Sequence, residues 1–147
     1  MITAKVIEDS DEIKNLLEAL ITQYDLHDRL SMCESELADI AVIGENAESF
    51  SITAHTVIAS LESLVNARNL PEQANIITYG FKEKDSITFS SVTGTERLIS
   101  IQRPIKRLCG EILIPAEVRI KYSGDYSDCA LLAAYSCLII CFGLEIL

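Results

Sequence analysis

The sequence predicts an α/β fold: a parallel βαβαβ Rossmann-like half, then an antiparallel β-meander and a buried C-terminal helix. Three observations carry this. Apolar runs of strand length alternate with helix-period stretches up to Gly80. Short alternating runs separated by glycine turns follow as far as Tyr122. Cys129–Leu144 (CALLAAYSCLIICFGL) then carries no charge at all. At 147 residues and 16.2 kDa the chain fits one domain, 1–147, with no flexible linker and no internal repeat.

Thr3–Ile7 is the first apolar run, and the acids of Glu8–Glu12 after it suit a helix N-terminus. Ile13, Leu16, Leu17, Leu20, Ile21 and Tyr24 fall at helical spacing and form one apolar stripe. Leu37–Ile43 (LADIAVI) is nearly continuous apolar, the pattern of a strand covered on both faces, and Gly44 ends it. A second helix is expected over Ala54–Leu70, with Val57, Ile58, Leu61, Leu64 and Val65 on one face and Pro71 as its stop. Asn75–Tyr79 is the next strand, ended by Gly80. Strand–helix–strand–helix–strand implies two right-handed crossovers.

The rhythm then changes. Ser86–Val92 and Leu98–Gln102 are strands joined through Thr93-Gly94-Thr95, and Ile112–Tyr122 alternates after a turn at Cys109-Gly110. Pro104 and Pro115 belong at an edge or a break. Ser123-Gly124-Asp125 leads into the last helix, in which Leu131, Leu132, Ala134, Leu138, Ile139 and Cys141 are expected in the core. That apolar stretch is shorter than the roughly 20 residues that span a bilayer, and no basic residue flanks it. A buried helix is expected, and no membrane partner.

Lys+Arg 12 against Asp+Glu 22 gives a net charge of −10, whose field repels phosphate and speaks against nucleic-acid or anionic-membrane partners. The charge is unevenly spread: Met1–Glu72 holds 14 acids and 4 bases, Gln73–Tyr122 holds 5 acids and 8 bases, and the last 25 residues hold 3 acids. The basic side chains of the middle segment read as solvated strand and turn residues. Five cysteines, no C-x-x-C and no basic, apolar leader fit a reduced, cytoplasmic setting. Cys137 and Cys141 are one helical turn apart, but no His or acid stands at the spacing needed to complete a metal site, so they read as core. No metal and no cofactor are expected. His27 and His55 read as helix-surface residues.

The order of elements resembles the second half of the central domain of the ATP-dependent Mur ligases of peptidoglycan synthesis. Ala38-Asp39-Ile40-Ala41-Val42-Ile43 is similar to that family's A-D-I-A-V-I strand, and Ile77-Thr78-Tyr79-Gly80 to its I-T-Y-G. Gly124-Asp125-Tyr126-Ser127-Asp128 with Leu131-Leu132-Ala133-Ala134 is similar to its G-x-H-N-x-x-N-x-L-A-A helix. The resemblance covers about Ala38 to Leu147 and implies that plan, a bacterial cytoplasmic setting and a link to cell-wall precursors. The departures bear on chemistry. None of the six glycines precedes a lysine, so no phosphate loop is present. The family's glycine–aspartate–histidine segment is replaced by Gly44-Glu45-Asn46-Ala47-Glu48, and the His-Asn of its last helix by Tyr126-Ser127. A chain of 147 residues leaves no room for separate UDP-sugar and amino-acid domains.

What is expected is therefore a Mur-ligase-like domain without the ligase chemistry, binding a protein partner or a small ligand. Its candidate ligand residues stand where open α/β sheets bind ligands, beyond the strand C-termini: Gly44, Glu45, Asn46, Glu48, Gly80 and Lys82. Their carboxylates suit a cation or sugar hydroxyls; the plain alternative is a solvated loop. Two other readings compete: a small enzyme or nucleotide-sugar binder at the same strand ends, and a structural domain that self-associates as a homo-oligomer. No catalytic residue is assigned.

Overall fold

The structure is a computed structural model that describes residues 1–122 and 124–147. Strand β1 (Ile2–Ile7) and helix α1 (Glu12–Gln23) are followed by β2 (Leu30–Met32) and β3 (Ile40–Ile43). Next come β4 (Phe50–Ser51), β5 (Thr56–Ala59), the one-turn helix α2 (Leu61–Leu64), β6 (Ala67–Asn69) and β7 (Asn75–Thr78). The remainder is β8 (Ile87–Thr93), β9 (Glu96–Ile101), β10 (Ile105–Lys106), β11 (Ile112–Leu113), β12 (Ala116–Lys121) and α3 (Asp128–Phe142), with a 3₁₀ turn at Leu144–Ile146.

The architecture is mixed α/β. Five parallel strands run in the order β2-β1-β3-β5-β7, and three antiparallel strands in the order β12-β9-β8. The two sheets meet at a corner, where Ser86 N–H donates to the Thr78 carbonyl and Gly80 N–H to the Ile87 carbonyl. Small pairs β10–β11 and β4–β6 complete the strands.

β3 shows why a continuous apolar run becomes a strand. Successive side chains point to opposite faces, and each face meets its own apolar layer. Ile40 and Val42 pack with the stripe of α1 and with α3; Ala41 and Ile43 pack with Ala47, Phe50, Ile52 and Ala54. The α1 stripe is buried as its spacing predicts, with Ile13, Leu16, Leu17, Leu20 and Ile21 all in the core. The meander belongs to the same apolar cluster through Ile87, Phe89, Ile99, Ile101 and Ile120.

The helix expected over Ala54–Leu70 is not formed. Val57 and Ile58, assigned there to one helical face, lie on opposite faces of β5, both fully buried. β5 fills the gap between β3 and β7 and pairs with both. Two β-branched neighbours with an apolar layer on either side favour the strand over the helix. Only a single turn, α2, survives, capped by Ser60, whose hydroxyl accepts the Ser63 N–H. Pro71 follows β6 and forms a turn with Ala74 instead of stopping a helix. β3 therefore connects to β5 through a segment with β4 but no helix.

Smaller differences have equally local causes. The strand expected from Leu37 starts at Ile40, and Leu37 itself is exposed. Ile112–Tyr122 is two strands, broken at Ile114-Pro115, as expected of a proline without a ladder donor. Strand β2, at the sheet edge, was not foreseen. Ser123, the start of the expected turn into the last helix, lies outside the described residues.

α3 is buried from Ala130 to Phe142. Its N-cap is Ser127, whose hydroxyl accepts the Ala130 N–H, and it closes with Gly143 N–H donating to the Ile139 carbonyl at 2.7 Å. Among the described residues no helix is long and apolar enough to cross a membrane.

Candidate functional site

The parallel strands bring Glu8, Gly44, Ser60 and Tyr79 to one edge, each just beyond a strand end. The N-termini of α1 and α3 open toward the same edge. Their free N–H groups and partial positive charge make such positions natural anion sites. Here the chain's own carboxylates occupy them. Glu8 accepts the Ile13 N–H at 2.9 Å and the Lys14 N–H at 3.0 Å, serving the first turn of α1. Glu12 accepts the Ser127 N–H at 3.0 Å and its hydroxyl at 2.8 Å, tying the start of α1 to the cap of α3. Gly44 makes room for this arrangement, since a Cβ there would stand 3.0 Å from Glu8 Cβ.

Two adjoining clefts open between these elements. The smaller, about 60 Å³, is bounded by Glu8, Glu12, Gly44, Glu45 and Asn46. The larger, about 160 Å³, is bounded by Glu45, Ser60, Glu62, Gly80, Phe81, Lys82 and Asp85. Glu45, Tyr79 and Cys129 line both. A wider opening of about 370 Å³ lies at the opposite edge of the sheet, beside His55 and Asn75, where the Asn75 amide donates to the Lys106 carbonyl. It lacks the convergence of helix ends and strand ends that marks the other edge.

The structure brings together five of the six residues expected from sequence. Gly44, Glu45 and Asn46 line the smaller cleft, and Glu45, Gly80 and Lys82 the larger. Glu48 is not among them; it lines a neighbouring surface groove with Ile7, Glu8, Asp9 and Ser49, which shares Glu8 and Asp9 with the smaller cleft. The Lys82 ammonium pairs with Glu62 at 3.0 Å, both side chains largely exposed. Sequence reasoning missed Glu8, Glu12, Glu62, Tyr79, Asp85 and Cys129. Only Tyr79 and the acids after β1 carried a signal, since they directly follow apolar strands.

Electrostatically the site is a set of carboxylates around one thiol and one phenol, with the Lys82 ammonium, paired with Glu62, on the wall of the larger cleft. Cys129 sits in the first turn of α3, where a thiol is ordinarily acidified. Burial opposes this, and the Glu45 carboxylate, 3.2 Å from Sγ, reinforces the opposition; the thiol is pushed up to about 12 and remains a donor to Glu45. Burial likewise pushes the Tyr79 phenol well above its ordinary range, and it donates to the Ile43 carbonyl at 2.7 Å. Neither group is a nucleophile near neutrality. Among the described residues no three His, Cys, Asp or Glu side chains are grouped to hold a metal ion. His27 stands beside Thr22, with Nε2 and Oγ1 3.4 Å apart, and His55 lies at the far edge of the sheet. The arrangement suits hydroxyl and cationic groups. No family model, no curated protein and no solved structure matches this chain.

Proposed function

We propose that this chain is a non-catalytic, Mur-ligase-like domain that binds a small polar ligand at the C-terminal edge of its parallel sheet and does not bind nucleotide there. One observation carries this: the Glu8 carboxylate on the Ile13 and Lys14 N–H groups. A phosphate needs those donors and a surrounding positive field. Here the donors are taken by a carboxylate, and Glu12 and Glu45 add like charge to the cleft beside it. The similarity of Ala38–Ile43, Ile77–Gly80 and Leu131–Ala134 to Mur ligases supports a ligand drawn from cell-wall precursor chemistry. Without a lysine-bearing glycine loop, ligation driven by ATP has no support in this chain.

The test is calorimetric titration of the protein with Mg-ATP, in parallel with thermal shift. No heat of binding and an unchanged melting temperature are expected. Saturable binding in the micromolar range, abolished by substitution at Glu8 or Gly44, would overturn the proposal.

A further inference from the structure

Strand β12 ends the antiparallel sheet, with β9 on one side and no strand on the other. The Tyr122 N–H donates to the Thr95 carbonyl at 3.0 Å, so the backbone of Tyr122 points at the β9 side. Backbone direction alternates along an antiparallel strand. Ala116, Val118 and Ile120 therefore also turn their N–H and C=O groups to β9, opposite Ile101, Ile99 and Arg97. Those of Glu117, Arg119 and Lys121 point outward, and among the described residues they meet no partner. The other sheet margins are guarded. β2 is three residues long, and β8 carries a bulge between Phe89 and Ser91. β7 runs into the corner, where the Ser86 N–H reaches Thr78. The six residues of β12 keep an unbroken register with β9 and include no proline.

We propose that β12 is a dimerisation edge, which pairs antiparallel with β12 of a second copy about a two-fold axis at Val118. Charge selects both the occupant and the register. Glu117 and Arg119 are exposed, two positions apart on one face of the strand and opposite in sign. Among the described residues neither forms an ion pair. Glu117 accepts only the Ser90 hydroxyl, at 3.4 Å. With Val118 opposite the partner's Val118, each Glu117 stands across from the partner's Arg119, which gives two opposite-charge pairs. Both residues point their backbone outward, so the same register lets their N–H and C=O groups exchange hydrogen bonds. An axis at Glu117 or at Arg119 sets that residue against its own copy, and an axis at Ile120 sets Arg119 against Lys121. Each of these places like charges opposite one another. On the other face Val118 and Tyr122 continue the apolar cluster. The count along the chain sets Ile114, 73% exposed, against the partner's Tyr122. The net charge of −10 does not forbid the approach, because Gln73–Tyr122, which contains this sheet, holds 5 acids and 8 bases.

One strand pair is a small interface, so the association is expected to be weak. The experiment is sedimentation equilibrium of the whole chain up to about 1 mM, with amide hydrogen exchange followed over the same concentrations. A dimer is expected, and exchange at the Glu117 and Arg119 amides should slow at least tenfold as it forms. Glu117→Arg and Arg119→Glu each set like charges across the edge and are expected to weaken dimerisation at least tenfold. Both side chains are exposed, so each variant is expected to fold, which circular dichroism checks. Mixed in equal amounts, the two variants regain opposite charges at both pairs and should associate with each other about as tightly as wild type. A chain that stays monomeric overturns the proposal. So does a dimer that both variants leave intact, or one in which the Glu117 and Arg119 amides exchange as freely as in the monomer. Variants that lose the dimer singly and do not recover it on mixing overturn it as well. Should either variant misfold, the exchange result on wild type decides alone.

Discussion

The Tyr79 phenol donates to the Ile43 carbonyl at 2.7 Å, reaching past β5 from the end of β7 to the end of β3. Tyr79 is 1% exposed, and its phenol stays protonated because burial disfavours the phenolate. The bond holds two non-adjacent strands together at the point where Gly44 and Glu45 leave the sheet. Tyr79 lines both clefts.

Tyr79→Phe removes the donor and leaves the Ile43 oxygen short of a partner in a dry environment. A loss of about 1–3 kcal/mol is expected, read as a shift of the urea midpoint at unchanged slope. Amide exchange at Glu45 and Asn46 should quicken at the same time. An unchanged midpoint would mean that the bond does not hold the strand ends.

Glu8 links stability to pH in a direction opposite to that of a salt-bridged acid. Burial outweighs its two backbone hydrogen bonds and raises its carboxyl above the ordinary range. The folded chain therefore holds this proton more tightly than the unfolded chain. The stability it contributes is full in acid, below the unfolded value, and is lost as pH rises through the raised folded value. Glu8→Gln should remove that part of the pH dependence while keeping an acceptor for α1. Glu8→Ala should cost about 1 kcal/mol through the lost cap. Denaturant titrations of all three proteins at pH values spanning the carboxylate range check this. Wild type gaining on Glu8→Gln as pH rises would contradict it.

Cys129 should react slowly with iodoacetamide near neutral pH, more slowly than exposed Cys109, because its thiol is pushed up to about 12 by burial and by Glu45. Glu45→Gln removes the nearby charge, lets the helix N-terminus act on the sulfur, and should speed alkylation several-fold. Peptide mapping after timed labelling separates the cysteines. A rate unaffected by the substitution would show that Glu45 does not govern the thiol.

How legible all this was in the chain depended on the reach of the interactions. The stripe Ile13–Ile21 and the charge-free Cys129–Leu144 were readable because their periodicity or uniform apolarity is local. Val57 and Ile58 were misplaced because strand or helix was decided there by the apolar layers on both sides, contributed by α3 and by Phe50 and Ile52. The site followed the same division. Gly44, Glu45 and Gly80 could be named since ligand sites in parallel sheets follow strand ends. Glu48, only three residues beyond Glu45, turned away into another groove. Glu12 and Ser127 meet across 115 positions, and Cys129 meets Glu45 across 84, with no trace in local pattern. Asp85 stands in no motif that sets it apart from the chain's other acids.

α3 supplies the last prediction, because it is apolar all round and enclosed all round. Leu138 is fully buried, within the cluster that joins α1, the parallel sheet and the meander. Leu138→Ala should cost about 2–5 kcal/mol, the upper part applying if the surrounding side chains cannot collapse into the gap. Against a total of about 5–15 kcal/mol that loss alone brings the fold close to failure. Ser136, also fully buried, offers the opposite sign: its hydroxyl has no partner among the described residues. Ser136→Ala removes an unsatisfied polar group and inserts a better helix former, so a gain of up to about 1 kcal/mol is expected. Thermal and urea denaturation of the two variants beside wild type decide the matter. If Leu138→Ala costs less than about 1 kcal/mol, well below the usual range for a buried leucine, then Leu138 is not packed tightly within that cluster. If Ser136→Ala destabilises, the hydroxyl is bonded after all, and the packing around α3 must be drawn differently.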